Sequence, residues 1–132
     1  MGISYLIDTH VLLWWVFDDN RLDVLCREII QNPDHHILVS SISALEIATK
    51  YRIGKLPEAQ PIIEQYAALL TQAQFQELPI TSAHALRAGN LPIKHRDPFD
   101  RILMAQAELE QIPIITYDSA FRTGLIEIFP EP

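Results

Sequence analysis

Short runs of consecutive apolar residues, bounded by turn and cap signals, constrain this chain more than any other feature. Ile3-Ser4-Tyr5-Leu6-Ile7 and Ile112 to Thr116 are too brief for buried helices and lack the alternation of a strand with one wet face. They predict strands buried on both faces. Ile37-Leu38-Val39 predicts a third, Phe75 to Ile80 a fourth with Pro79 near its exit, and Ile126 to Phe129 the last. Between them lie helical patterns. Thr9 to Phe17 is apolar, with Asp8 or Thr9 as cap; Val24, Leu25, Glu28, Ile29 and Ile30 form a stripe ending near Asn32-Pro33. Ser41 or Ser43 opens a helix that stops at Gly54. Further helices are expected over Pro61 to Gln74, over Ser82 to Ala88 with Gly89 closing it, and over Pro98 to Gln111. Strands alternating with helices predict a parallel sheet covered on both sides, with any site beyond the carboxyl ends of the strands. With 132 residues and no linker or repeat, one domain is expected.

Two acids stand directly after buried strands: Asp8 after Tyr5-Leu6-Ile7, and Asp118 after Ile114 to Tyr117. Both are placed at one rim of the sheet. Each also has a bland account, Asp8 as a helix cap and Asp118 as a turn former. Glu46 lies early in the helix after the Ile37 strand. Ser43-Ala44-Leu45-Glu46 matches a capping box, and Lys50 one turn later offers a surface ion pair.

The stretch His95-Arg96-Asp97-Pro98-Phe99-Asp100-Arg101 is the most informative. Pro98 suits the first helical position and makes Asp97 the cap. Asp100 in the first turn either serves the helix dipole or projects across the rim. Asp8, Glu46, Asp100 and Asp118 are gathered at one end of the sheet by this topology. Four carboxylates there repel unless a cation sits among them. Hard oxygen donors without sulfur or clustered imidazole suit Mg²⁺ or Mn²⁺. Such a site activates water and steadies charge on a phosphoryl group, which points to phosphodiester hydrolysis.

The net charge, -7 from 17 acids and 10 bases, argues against a protein that coats nucleic acid by charge alone. Lys50, Arg52 and Lys55 follow Glu46, and Arg87, Lys94, Arg96 and Arg101 surround Asp100; an ordinary solvated surface explains them equally well. His84 and His95 flank a turn, where solvated or capping roles are commoner than catalytic ones, and His35 and His36 lie in a loop. The lone Cys26 sits in an apolar-periodic stretch and reads as a small buried hydrophobe. The longest apolar run, Val11 to Phe17, is far short of the roughly 20 residues a membrane helix needs. No basic signal-peptide region is seen, so a soluble cytoplasmic protein is expected. Because that run is apolar all round, one face of it suggests dimerisation, against full burial in the core.

The arrangement resembles the PIN-domain family, and within it the VapC-type toxins. The matching segments are Leu6 to Trp14, Val39 to Leu56 around Glu46, Leu78-Pro79-Ile80 with His84-Ala85-Leu86, Leu91 to Ala107, and Ile115 to Asp118 with Phe121. Asp-Pro-Phe-Asp-Arg before an Ala-Gln-Ala helix is specific to one branch of the family. The resemblance implies a three-layer α/β/α sandwich with a central parallel sheet, one domain over 1–132, and Mg²⁺- or Mn²⁺-dependent endoribonuclease activity. It also implies an RNA substrate, homodimerisation and neutralisation by a cognate antitoxin. The family's catalytic and metal-binding acids carry over onto Asp8, Glu46, Asp100 and Asp118. Asp97 is close enough to assist, and Thr116 stands where the family often has a hydroxyl. One ion or two, and the RNA target, stay open.

Three rivals have distinct marks. A phosphoacceptor signalling domain wants an acidic pair by the first strand and a late lysine; here Thr9-His10 and Asp118 stand in those places. A PIN-fold module that binds a partner without catalysis has no reason to keep four acids. A PIN nuclease acting on DNA differs only in substrate.

Overall fold

A computed structural model describes residues 2–130. Strands β1 (Ser4–Ile7), β2 (His36–Ser40), β3 (Gln76–Leu78), β4 (Ile114–Ile115) and β5 (Ile128–Phe129) form one sheet in the order β3-β2-β1-β4-β5. Every pairing is parallel; Leu6 of β1 lies opposite Leu38 of β2 and Ile114 of β4. The helices are α1 (Thr9–Val16), α2 (Val24–Gln31), α3 (Ser41–Arg52), α4 (Gln60–Glu64), α5 (Tyr66–Ala73), α6 (Ser82–Asn90) and α7 (Pro98–Glu110).

Alternation along the strands divides the core in two. Tyr5, Ile7, Ile37, Val39 and Ile115 face one layer with Val11, Leu12, Cys26, Ile30, Ile62 and Leu70. Leu6 and Ile114 face the other, with Ala88, Leu103, Met104 and Phe121. The result is a three-layer α/β/α sandwich, as the uninterrupted apolar strands require. Helix α3 joins the layers, with Ile47 in the first and Ile42 in the second.

The chain runs from β1 outward to β2 and β3, then returns to place β4 and β5 on the other side. The direction of winding therefore reverses between β1 and β4. Beyond the carboxyl ends of these two strands their connections diverge and leave a crevice. Helices α1 and α3 begin directly at that rim, capped by Asp8 and Ser40, and α7, antiparallel to β4, begins there too. Three helix N-termini thus lie at the rim, two of them capped by carboxylates, Asp8 and Asp97.

Local details depart from the sequence expectations: His36, expected in a loop, opens β2. The helix expected over Pro61 to Gln74 is two, broken at Gln65. Ile62, Tyr66, Leu69 and Ala73 would share one stripe of a continuous helix, so the periodicity gave no sign of the break. Helix α6 runs through Gly89 to Asn90, and its cap is Thr81. There His84 takes the part of the usual Glu: its Nδ1 accepts from the Thr81 N–H at 3.0 Å, while the Thr81 hydroxyl accepts from the His84 N–H. The capping box expected from Ser43 and Glu46 does not form. Ser40 caps α3, Ser43 hydrogen-bonds the Thr9 hydroxyl at 3.0 Å, and Glu46 is directed inward.

The apolar run after Asp8 is largely consumed by the chain itself. Val11, Leu12 and Leu13 are buried, Trp14 to Val16 half-buried, and Phe17 44% exposed. Cys26 is fully buried, and burial pushes its thiol up to about 11.

Candidate active site

Asp8 closes β1 and opens α1, and both jobs bear on its carboxylate. Its N–H still bonds the Ile115 carbonyl at 3.1 Å, which keeps it in the ladder beside β4. Oδ1 accepts from the Val11 N–H at 2.8 Å as the helix cap. Oδ2 accepts from the Thr116 hydroxyl. The same hydroxyl oxygen accepts the Asp118 N–H at 3.1 Å, so Thr116 ties the two rim acids together across the switch point.

Glu46 comes to this rim from α3, is only 3% exposed, and is bonded through Oε2 to Lys50 at 2.6 Å. Its Oε1 is buried without a hydrogen-bond partner. Asp100, in the first turn of α7, is half-buried and meets His95 Nε2 at 2.7 Å. Asp97 beside it is the cap, accepting the N–H groups of Phe99 at 2.9 Å and Asp100 at 3.3 Å. Asp118 is exposed; its carboxylate caps a short 3₁₀ turn through the Ala120 N–H at 2.9 Å.

Three of the four acids feel one another. Asp8 is raised from 3.8 to about 6, first by burial, with the Thr116 and Val11 hydrogen bonds and His10 opposing and Asp100 adding. The Asp100 carboxyl is also raised, again first by burial, with His95 opposing and Asp97 and Glu46 adding. Asp118 sits on the same rim, joined through Thr116. The four do not close on one another: among the described residues no three acidic, histidine or cysteine side chains form a ready ligand cluster. Each carboxylate is instead engaged by its own partner, respectively Thr116, Lys50, His95 and Ala120 N–H, which is the arrangement that like charges favour.

The oxygen-only donor set matches a hard divalent cation. So does the unpartnered Glu46 Oε1. A buried carboxylate oxygen without a donor is costly, and a cation is a means of satisfying it.

The surrounding cations divide by use. Arg101 gives its guanidinium to backbone carbonyls, among them Ala88 at 2.8 Å, Leu91 at 3.0 Å and His95 at 2.8 Å. It thereby pins the loop that presents His95 to Asp100. Arg87 pairs with Glu108 and Lys50 with Glu46. Arg52, Lys55, Lys94 and Arg96 are exposed and form no ion pair among the described residues. Sequence reasoning missed the His95–Asp100 contact. The partners are five residues apart across a turn, a spacing that no regular periodicity marks.

The raised Asp8 makes a stability prediction. Between pH 3.8 and about 6 the folded chain keeps a proton that the unfolded chain releases, so raising the pH through this window favours unfolding. Asparagine at position 8 keeps the cap oxygen and does not titrate. In chelator, the stability of Asp8→Asn relative to wild type is expected to grow across that window and level off above it. The gain is on the order of 3 kcal/mol. Urea melts at a series of pH values measure it, and a difference that does not change with pH would refute it.

The PIN domain family model matches residues 5–123. Ribonuclease VapC22 of Mycobacterium tuberculosis is 28% identical to this chain over 121 residues, 91% of each. The fold is similar to that of VapBC2 from Rickettsia felis bound to a promoter DNA fragment, with a TM-score of 0.67, 14% identity, and 96% and 97% of the two chains covered. It is also similar to a toxin–antitoxin complex from Klebsiella pneumoniae, with a TM-score of 0.65, 20% identity and 95% of each chain covered. At such identities these two likenesses are of fold.

Proposed function

The chain belongs to the PIN domain family, and we propose that it is a metal-dependent endoribonuclease acting as the toxin of a toxin–antitoxin pair. The observation that carries the chemistry is the buried pair Asp8 and Glu46 at the switch point, with Asp100 beside them and one Glu46 oxygen unpartnered. The 28%-identical relative, a ribonuclease, and the similar fold of a toxin–antitoxin complex from Klebsiella pneumoniae support the biological reading.

In this reading Asp8, Glu46, Asp100 and Asp118 hold Mg²⁺ or Mn²⁺. The chemistry such an ion supplies is Lewis-acid neutralisation of phosphate charge and a lowered pKa for water. The chain's own residues do the positioning. Thr116 fixes the Asp8 carboxylate and, through the Asp118 N–H, the turn carrying Asp118. His95 orients Asp100, and Arg101 holds the His95 loop in place. Lys50 offsets the charge of Glu46. Exposed Arg52, Lys55, Lys94 and Arg96 supply the cations for an RNA backbone that a chain of net charge -7 otherwise repels. A homodimer is part of the same reading.

The test is digestion of labelled single-stranded RNA and DNA of one sequence, in Mn²⁺ and in excess chelator. RNA is expected to be cut only in Mn²⁺, with DNA left intact. Equal RNA cleavage in chelator removes the metal mechanism; preferential cutting of DNA removes the ribonuclease assignment. No helix among the described residues is long and apolar enough to cross a membrane.

A further inference from the structure

Two clefts open beside the acidic rim and run into one another. The first, about 310 Å³, contains Glu46 and is walled by Thr9, Lys50 and Lys55. The second, about 340 Å³, is walled by Trp14, Phe17, Asp19, Arg21 and Glu58. His10, Leu13 and Leu56 line both, so a ligand that starts at Glu46 reaches Trp14 without leaving the surface.

The two clefts differ in chemistry. The first offers two ammonium groups, one of them Lys55, exposed and without an ion pair among the described residues. The second offers flat groups. The Arg21 guanidinium lies 5.0 Å over the Trp14 ring and the His10 ring is 6.3 Å from the indole, while Tyr117, outside the cleft lining, backs the indole at 5.3 Å. Arg21 is mostly exposed yet already fixed, with Nη2 at 2.7 Å and Nε at 3.1 Å from the Asp19 carboxylate. Little side-chain freedom is left for it to lose on binding. Asp19, held at about 2 by Arg21, stays ionised, and with Glu58 it makes the second cleft hostile to a phosphate. An uncharged ring with two π faces suits it. Tyr117, which packs against Trp14, stands between Thr116 and Asp118 in the chain.

We propose that these joined clefts seat the nucleotide next to the scissile phosphate of a single-stranded RNA. Its phosphate lies on Lys50 and Lys55, and its base stacks in the Trp14–Arg21 cleft. The assignment rests on the RNA-cleaving reading above and deepens it. A base can enter only when it is unpaired, because stacking on protein aromatics and guanidinium planes needs a free face.

The test is titration of the whole protein with a labelled single-stranded oligoribonucleotide in Ca²⁺, followed by anisotropy and by intrinsic tryptophan fluorescence. Binding is expected to quench the fluorescence. Arg21→Ala, at an exposed side chain, is expected to weaken binding at least about fivefold, the lower end for a base that loses its stacking partner. Lys55→Ala, also exposed, is expected to weaken binding and make it less sensitive to salt, as loss of a phosphate contact does. An oligonucleotide abasic at one position should bind wild type more weakly, and that loss should vanish in Arg21→Ala. Wild-type affinity in both variants overturns the site, whatever the clefts then hold. The two readings also separate. RNA bound with quenching but left intact in Mn²⁺ keeps this site and removes the nuclease. RNA cut by both variants with wild-type kcat/KM keeps the nuclease and removes this site.

Discussion

Asp100→Asn is expected to slow RNA cleavage by about two orders of magnitude or more, and to melt no lower than wild type in chelator. The first half follows from position. Residues that merely orient a metal ligand typically cost about 10–100-fold when removed, so loss of a ligand should exceed that. The second half follows from electrostatics. Burial, Asp97 and Glu46 all disfavour the charged form of Asp100. Asparagine removes the charge, keeps the shape and can still hydrogen-bond His95. Asp97→Ala is the matched contrast, three residues earlier on the same turn. It removes the cap that accepts the Phe99 and Asp100 N–H groups, and should cost about 1 kcal/mol of stability with a modest loss of activity. Thermal melts in chelator and initial cleavage rates on both variants decide the matter. If Asp97→Ala is the inactive, stable protein and Asp100→Asn the active one, the metal-site assignment has been placed one helical turn too late.

The contrast also shows what was legible in the sequence. Asp97 as cap and Asp100 inside the first turn follow from Pro98 alone, because proline is tolerated where the helix has no N–H to satisfy. The parallel sheet followed from unalternating apolar runs, and with it the rim that gathers Asp8 and Asp118. Glu46 was harder to place. Ser43 and Lys50 stand at the spacings of a cap box and of a surface ion pair, and both accounts keep a glutamate at the surface. Burial decided otherwise: at 3% exposure Glu46 keeps the Lys50 pair but leaves Oε1 without a donor. Burial depends on how α3 lies against α1 and α7, which local spacing does not encode. The role of Arg101 was hidden for the same reason. Flanking Asp100 in sequence, it fitted an ordinary solvated surface as well as any other role, but its guanidinium serves carbonyls up to thirteen residues away in sequence. Backbone acceptors leave no trace in side-chain identity.

In the proposed reading the acids are poised rather than assembled. Asp8 and Asp100 resist ionisation in their buried setting, and each carboxylate is held by a separate partner. Bringing them to one point needs a positive charge larger than Lys50 provides. Repulsion that destabilises the metal-free chain therefore becomes attraction when a divalent cation enters.

That exchange has a measurable size. A ligand that binds only the folded chain at about 100 times its dissociation constant adds roughly 2.7 kcal/mol. For a domain of this length that corresponds to a melting shift of about 10 °C. Mn²⁺ titrated into wild type is expected to raise the melting temperature steadily toward that figure. Asp100→Asn, starting at or above the wild-type temperature in chelator, should lose most of the rise, so the two curves cross as Mn²⁺ increases. The crossing separates a ligand from a residue that only stabilises the fold: a structural asparagine substitution shifts the whole curve without changing its dependence on metal. Ca²⁺ should give a smaller rise and little cleavage, since its longer bonds and looser geometry hold water and phosphate less well. Parallel curves for wild type and Asp100→Asn would place the metal elsewhere. A flat wild-type curve, with RNA still cut in excess chelator, would remove the metal from the mechanism.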